Sequence, residues 1–177
     1  MSQLPRVRHV GLNAIFLQPQ MGGLETYVRE LVPALLDVRP DLRVSIFVNE
    51  LGKRVLVEEP WSGQVELVTH PLLGRPYTRA LTEISFLGLL ASRRGLDVLH
   101  NIAMLGPLRS RPAQVLTVAD VTWLRYPDPA EWITRMMWRT LVPLSARRAD
   151  RVLVFSEAAR AQVAPDLHVP EDRIDVV

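Results

Sequence analysis

The stretch VRHVGLNAIFLQPQMGGLETYVRELVPALL (residues 7–36) contains a strand, a glycine loop and a helix in close succession. Val7 to Leu17 is rich in apolar and β-branched residues and reads as a strand running out into a loop. From Leu24 onward, Leu24, Val28, Leu31 and Leu35 recur at spacings of four, three and four, one face of a helix. Glu25 and Arg29 form a favourable pair one turn apart on the other side. Pro40 bars continuation, so the helix ends near residues 37–39. Between strand and helix stand Gly22 and Gly23, and a glycine pair is costly in backbone entropy. Two readings stay open at this level. Either the turn needs positive φ, or the main chain comes close to a ligand while the free amides of the helix N-terminus attract an anion such as phosphate.

The same alternation continues outward. Strands are expected at residues 42–48 and 64–70, with a loop and a short helix between them. Residues 77–95 predict a helix whose stripe is Ala80, Leu81, Ile84, Leu87, Gly88 and Ala91, closed by Arg93, Arg94 and Gly95. The runs DVLH (97–100), QVLTV (114–118) and RVLVFS (151–156) have the continuous apolar character of strands buried on both faces. A helix over about 130–148, with a bend expected at Pro143, precedes the last of these; another opens at Ser156, a good N-cap. The chain closes on the extended run RIDVV. Alternating strands and helices of this kind predict one α/β domain over residues 1–177, a doubly wound parallel sheet of Rossmann type.

Composition narrows the function classes. The 177 residues are 48% apolar and 23% charged, with a net charge of +2, which is ordinary for a globular domain and gives nucleic-acid binding little support. Without cysteine there are no disulfides, thiolate metal sites or thiol nucleophiles, which suits a reducing compartment. Arg6, Arg8 and His9 interrupt the apolar run a signal peptide requires, and ISFLGLLAS is too short to span a bilayer. A cytoplasmic location is therefore expected. His9, His70 and His168 show no ligand spacing, so no metal is expected. The glycine loop matches neither G-x-G-x-x-G nor the P-loop with its lysine and hydroxyl.

The segments GGLETYVRELVPALL, DVLH, TVADVTWLRYP, SARRADRVLVFSEAARAQV and VPEDRIDVV, in that order, resemble glycosyltransferase family 4. The resemblance covers Val7 to Val177 and is most specific in the last two segments. It implies a retaining, metal-independent enzyme of the GT-B fold, built from two Rossmann-like domains around a cleft. This chain would be the N-terminal, acceptor-side domain, inactive alone, and the nucleotide-sugar domain that would follow it is absent from the chain. The implied partners are that second domain, a nucleotide-sugar acting as co-substrate, and a carbohydrate, lipid-linked or small-molecule acceptor. Gly22 and Gly23 would close over the donor phosphates, with nearby amides assisting the departing diphosphate.

Other site residues are weighed against ordinary structural roles. The family commonly places histidine directly before Asp120, but here the residue is Ala119, which cannot hydrogen-bond or carry a proton. A natural variant, a deliberate substitution and a degenerate paralogue account for this equally. Asp120 remains the candidate catalytic residue, with loop capping as its alternative. His100 and Asn101 end a strand and are expected to face the cleft, as acceptor contacts or as satisfied structural residues. Ser156 and Glu157 open a helix beside the same cleft, where capping explains both equally well. Arg75, Arg79, Arg109 and Arg111 are placed to steer an anionic acceptor, or are simply solvated. Trp132, Met136, Met137 and Trp138, flanked by arginines, invite a membrane-surface reading, but most of these positions also suit packing on a sheet. The competing function class is a non-catalytic Rossmann-like module for a phosphorylated ligand or a partner protein.

Overall fold

A computed structural model describes residues 7–74, 79–125 and 132–177. In chain order the main elements are β1 (His9–Ala14), α1 (Gly23–Val38), β2 (Arg43–Val48), α2 (Glu50–Leu56), β3 (Glu66–Val68), α3 (Arg79–Leu81), a π-helical turn (Thr82–Phe86), α4 (Leu87–Arg93), β4 (Val98–Asn101), β5 (Ala113–Thr117), α5 (Thr122–Arg125), α6 (Trp132–Arg148), β6 (Arg151–Val154), α7 (Glu157–Leu167) and β7 (Ile174–Val176). The seven strands form one sheet in the order β3-β2-β1-β4-β5-β6-β7, and every pairing is parallel. This is the expected doubly wound α/β architecture. The strand order reverses direction between β1 and β4, which makes their carboxyl ends the topological switch point.

Right-handed crossovers put α1 and α2 on one face of the sheet and α3, α4, α6 and α7 on the other. The core follows that division. Val28 and Val32 of α1 pack with Leu12, Ile46 and Val48 on the first face. On the second face, Leu87 and Ala91 meet Ile15, Phe47 and Leu99, and Val142 and Ala146 of α6 meet Leu116, Val152 and Val154. Adjacent residues such as Ile46 and Phe47 serve opposite layers, which explains why these strands read as unbroken apolar runs.

One sequence expectation needs correction. The helix before β4 contains a π turn, whose extra residue rotates the stripe: Leu81 is 61% exposed, while Thr82 and Glu83 turn inward and Glu83 is only 1% exposed. The run expected to be a strand running out into a loop makes that passage at Ala14, and Ile15, Phe16 and Leu17 stay buried without strand pairing. Asn49 holds that segment: its Nδ2 donates to the carbonyls of Ile15 (2.6 Å) and Leu17 (2.9 Å), and its Oδ1 caps α2 through Gly52 N–H (2.8 Å). The loop therefore has an anchored root and a tip that begins near Gln18.

Candidate functional site

The tip reaches the switch point at the N-terminus of α1. Gln20 and Gly22 both adopt left-handed backbone, at φ 66° and 63°. Glycine meets the strain at Gly22, and a Cβ built there or at Gly23 would touch nothing within 4 Å. Both residues are exposed. The N-terminus of α1 has no side-chain cap; Gly22 O instead accepts from Thr26 N–H (3.1 Å) and Thr26 Oγ1 (3.3 Å). Glu25 steadies the tip, accepting Met21 N–H at 3.1 Å and Arg29 Nη2 at 2.8 Å, and Arg29 continues to Glu59. The Arg29 guanidinium, and then the Met21 amide, hold the Glu25 carboxyl below the usual range. The outcome is an open amide surface at the positive end of a 16-residue helix, the geometry that attracts an anion.

Beside the loop, the other sequence candidates divide into exposed and buried. Asp120, exposed past the end of β5, accepts Thr122 N–H on Oδ1 at 2.8 Å and so caps the entry to α5. Ser156, exposed past β6, caps α7 by accepting Ala159 N–H at 3.1 Å. Glu157 is exposed next to it and lies 3.8 Å from Arg160. These three share the carboxyl end of the sheet with Gly22 and Gly23.

His100 and Asn101 reach the same end but point into the protein. His100 Nε2 lies 2.7 Å from Thr117 Oγ1 on the α1 side, with the Tyr27 ring edge-on at 6.4 Å. Burial pushes its imidazole down to about 4, so it is neutral at pH 7. Asn101 faces the other layer. Its Oδ1 accepts from Asn13 Nδ2 (3.3 Å) and its Nδ2 donates to Gln114 Oε1 (3.4 Å), a chain of amides across three strands. Gly106 lies against it, where a Cβ would come within 2.6 Å of the amide nitrogen.

Of the arginines set out as steering groups, Arg79 pairs with buried Glu83 (3.0 Å), Arg75 lies outside the described residues, and Arg109 and Arg111 sit at the opposite end of the strands, beside the start of β5. On α6, Val142 and Ala146 join the core and Trp138 packs edge-on against Trp123 at 5.8 Å, while Met136 (63%) and Met137 (41%) stay exposed. Among the described residues no helix is long and apolar enough to cross a membrane. The residues that sequence reasoning missed are Asn49, Thr117, Tyr27 and Glu83. Only Asn49, an N-cap residue in front of a short helix, left a local signal.

An open parallel sheet with an exposed, uncapped glycine loop at its switch point defines an α/β domain of Rossmann-like class. Residues 21–177 match the model of Glycosyltransferase Family 4, and the chain belongs to that family. Among solved structures it is similar to the apo form of WaaB, a lipopolysaccharide outer core galactosyltransferase, with a TM-score of 0.55 at 13% identity over 96% of this chain. The chain spans 44% of that protein's length, and the shared architecture is one half of a GT-B fold. A search of curated proteins by sequence gives no match.

Proposed function

We propose that this domain is the acceptor-side lobe of a retaining glycosyltransferase, which moves a sugar, of hexose type, from a nucleotide-sugar to an acceptor and is inactive without a donor-binding lobe. The observation that carries the reading is the open, uncapped N-terminus of α1 at Gly22 and Gly23. As the glycosidic bond to the donor breaks, charge builds on the leaving diphosphate. Amides held in place beforehand stabilise that charge at no reorganisation cost, an effect worth roughly 3 kcal/mol per donor in comparable anion holes. The acceptor attacks from the side the diphosphate leaves, so positioning supplies much of the rest. In this reading Asp120, exposed past the end of β5, lies near the reacting sugar, and Ala119 beside it adds no proton-carrying group. The reading calls for no resident cofactor or metal, and for work in the cytoplasm where nucleotide-sugars are made.

The test is release of nucleoside diphosphate from candidate nucleotide-sugars by the chain combined with a donor-binding lobe, compared with the chain alone. Release by the combination and none by the chain alone is expected, and Gly23→Val, which keeps its N–H but sets a branched side chain between the open amides and the diphosphate, should lower it by up to about two orders of magnitude without loss of fold. Undiminished turnover in Gly23→Val overturns the role of the glycine loop. No release from any combination, even with Ala119→His, favours the non-catalytic module.

A further inference from the structure

We propose that the amino end of the sheet holds a second site, built by Arg109, Arg111 and Arg148, which binds a phosphate-bearing anion. A surface cavity of about 520 Å³ opens there between the loop entering β5 and the C-terminus of α6. It is on the scale of small-molecule sites, yet its walls are charged and polar. All three arginines are exposed, and none has a guanidinium hydrogen bond or ion pair among the described residues. Ser110, between two of them, has its hydroxyl oxygen sealed from solvent and without a partner among the described residues. Asp150 is the acid in the lining, and its Oδ2 is engaged by Gln114 N–H at 2.7 Å. Three cations against one occupied carboxylate leave the cavity positive.

The surrounding sequence points the same way. Residues 71–149 carry eleven arginines and five acidic residues, whereas the rest of the chain has ten basic and fourteen acidic. A net charge near zero therefore conceals a basic middle and an acidic remainder.

The backbone that carries Arg109 and Arg111 is also fixed in place before any ligand arrives. Leu108 N–H donates to the Ile84 carbonyl of the π turn at 3.0 Å, and Arg111 N–H donates to Ser92 Oγ at 3.2 Å. Gly88 lets α4 close on the same loop, since a Cβ there would lie 2.0 Å from the Arg109 carbonyl oxygen. A loop pinned at three points spares the backbone's share of the ordering cost, leaving only the side chains of Arg109 and Arg111 to be ordered, and paired guanidinium forks suit phosphate oxygens. The site is separate from the glycine loop: the five residues of β5 put about 17 Å between the two ends of the sheet. Its ligand is a phosphate ester, either a soluble compound or the headgroup of an anionic lipid.

The experiment titrates the intact chain with inorganic phosphate and pyrophosphate by calorimetry, and sediments it with phosphatidylcholine vesicles with and without phosphatidylglycerol. Saturable binding to at least one probe is expected. It should weaken at least about tenfold in Arg109→Gln/Arg148→Gln, the scale of one lost charge-assisted hydrogen bond, and be unchanged in Arg54→Gln on α2. Binding to soluble phosphate alone assigns a soluble ligand; binding to the anionic vesicles alone assigns a lipid headgroup. No binding to either probe, or equal binding by a double variant with parental circular dichroism, overturns the proposal. Neither readout depends on sugar transfer.

Discussion

Two buried titratable side chains lie on opposite faces of the sheet and become neutral by opposite routes. On the α1 face, His100 sheds its proton: burial pushes it down to about 4, and Thr117 Oγ1 is its hydrogen-bond partner. On the α4 face, burial pushes the Glu83 carboxyl up to about 7 despite its pair with Arg79, so it holds its proton below that pH, and Oε2 finds no partner among the described residues. Desolvation is the main cause in both, and the sign of the shift depends only on which form carries the charge. The comparison teaches that burial on either face pushes acid and base alike toward the neutral form, and that a paired guanidinium offsets only part of the push on Glu83.

The linkage consequences oppose one another. Glu83 contributes stability in full below its unfolded value of 4.5, and loses that contribution as the pH rises through about 7. His100 contributes in full above its unfolded value of 6.5, and loses its contribution as the pH falls through about 4. Between about 4.5 and 6.5 the two slopes cancel, so the parent chain should show little pH dependence from this pair.

The largest effect is expected from Glu83→Gln. It removes one slope and leaves stability that falls by on the order of 3 kcal/mol as the pH drops from 6.5 to 4, read from urea unfolding at a series of pH values. His100→Gln should do the reverse on the same scale, losing on the order of 3 kcal/mol as the pH rises from 4.5 to 7, because the amide still reaches Thr117 but cannot titrate. If the two variants slope the same way, the opposition between the faces is wrong. The smallest effect belongs to Thr117→Val, which strands the imidazole nitrogen at a cost of about 1–2 kcal/mol at pH 7 and keeps the parental pH profile. A changed profile there would mean that the Thr117 hydroxyl, rather than burial, sets the state of His100.

What the sequence disclosed follows the range of the forces involved. The strand runs at 97–100, 114–118 and 151–156, the helix from Leu24 and the Ser156 cap are local patterns, and they are found close to where periodicity places them. The glycine pair was legible as a loop, and its openness was a matter for the structure. The π turn was not legible. An inserted residue leaves no trace in a periodic apolar stripe, and a glutamate in the sequence reads as solvent-facing. His100 resisted for a different reason: its partner Thr117 lies 17 residues away on the neighbouring strand, and alternation fixes neither which face a histidine takes nor what waits there. Arg109 and Arg111 were misplaced because the loop after β4 runs the full height of the sheet before β5 begins.

The adjacency of β1 and β4 bears on how the chain is born. His9 N–H meets Asp97 and Asn13 meets Asn101 across 88 residues, so the middle of the sheet closes only after the fourth strand has left the ribosome. At roughly 5–20 residues per second, the three-stranded half ending at Val68 waits roughly two to seven seconds for Asn101. Throughout that interval β1 offers a bare strand edge, a template for mispairing with other nascent chains, so the yield of folded domain depends on translation speed and on whatever shields that edge meanwhile.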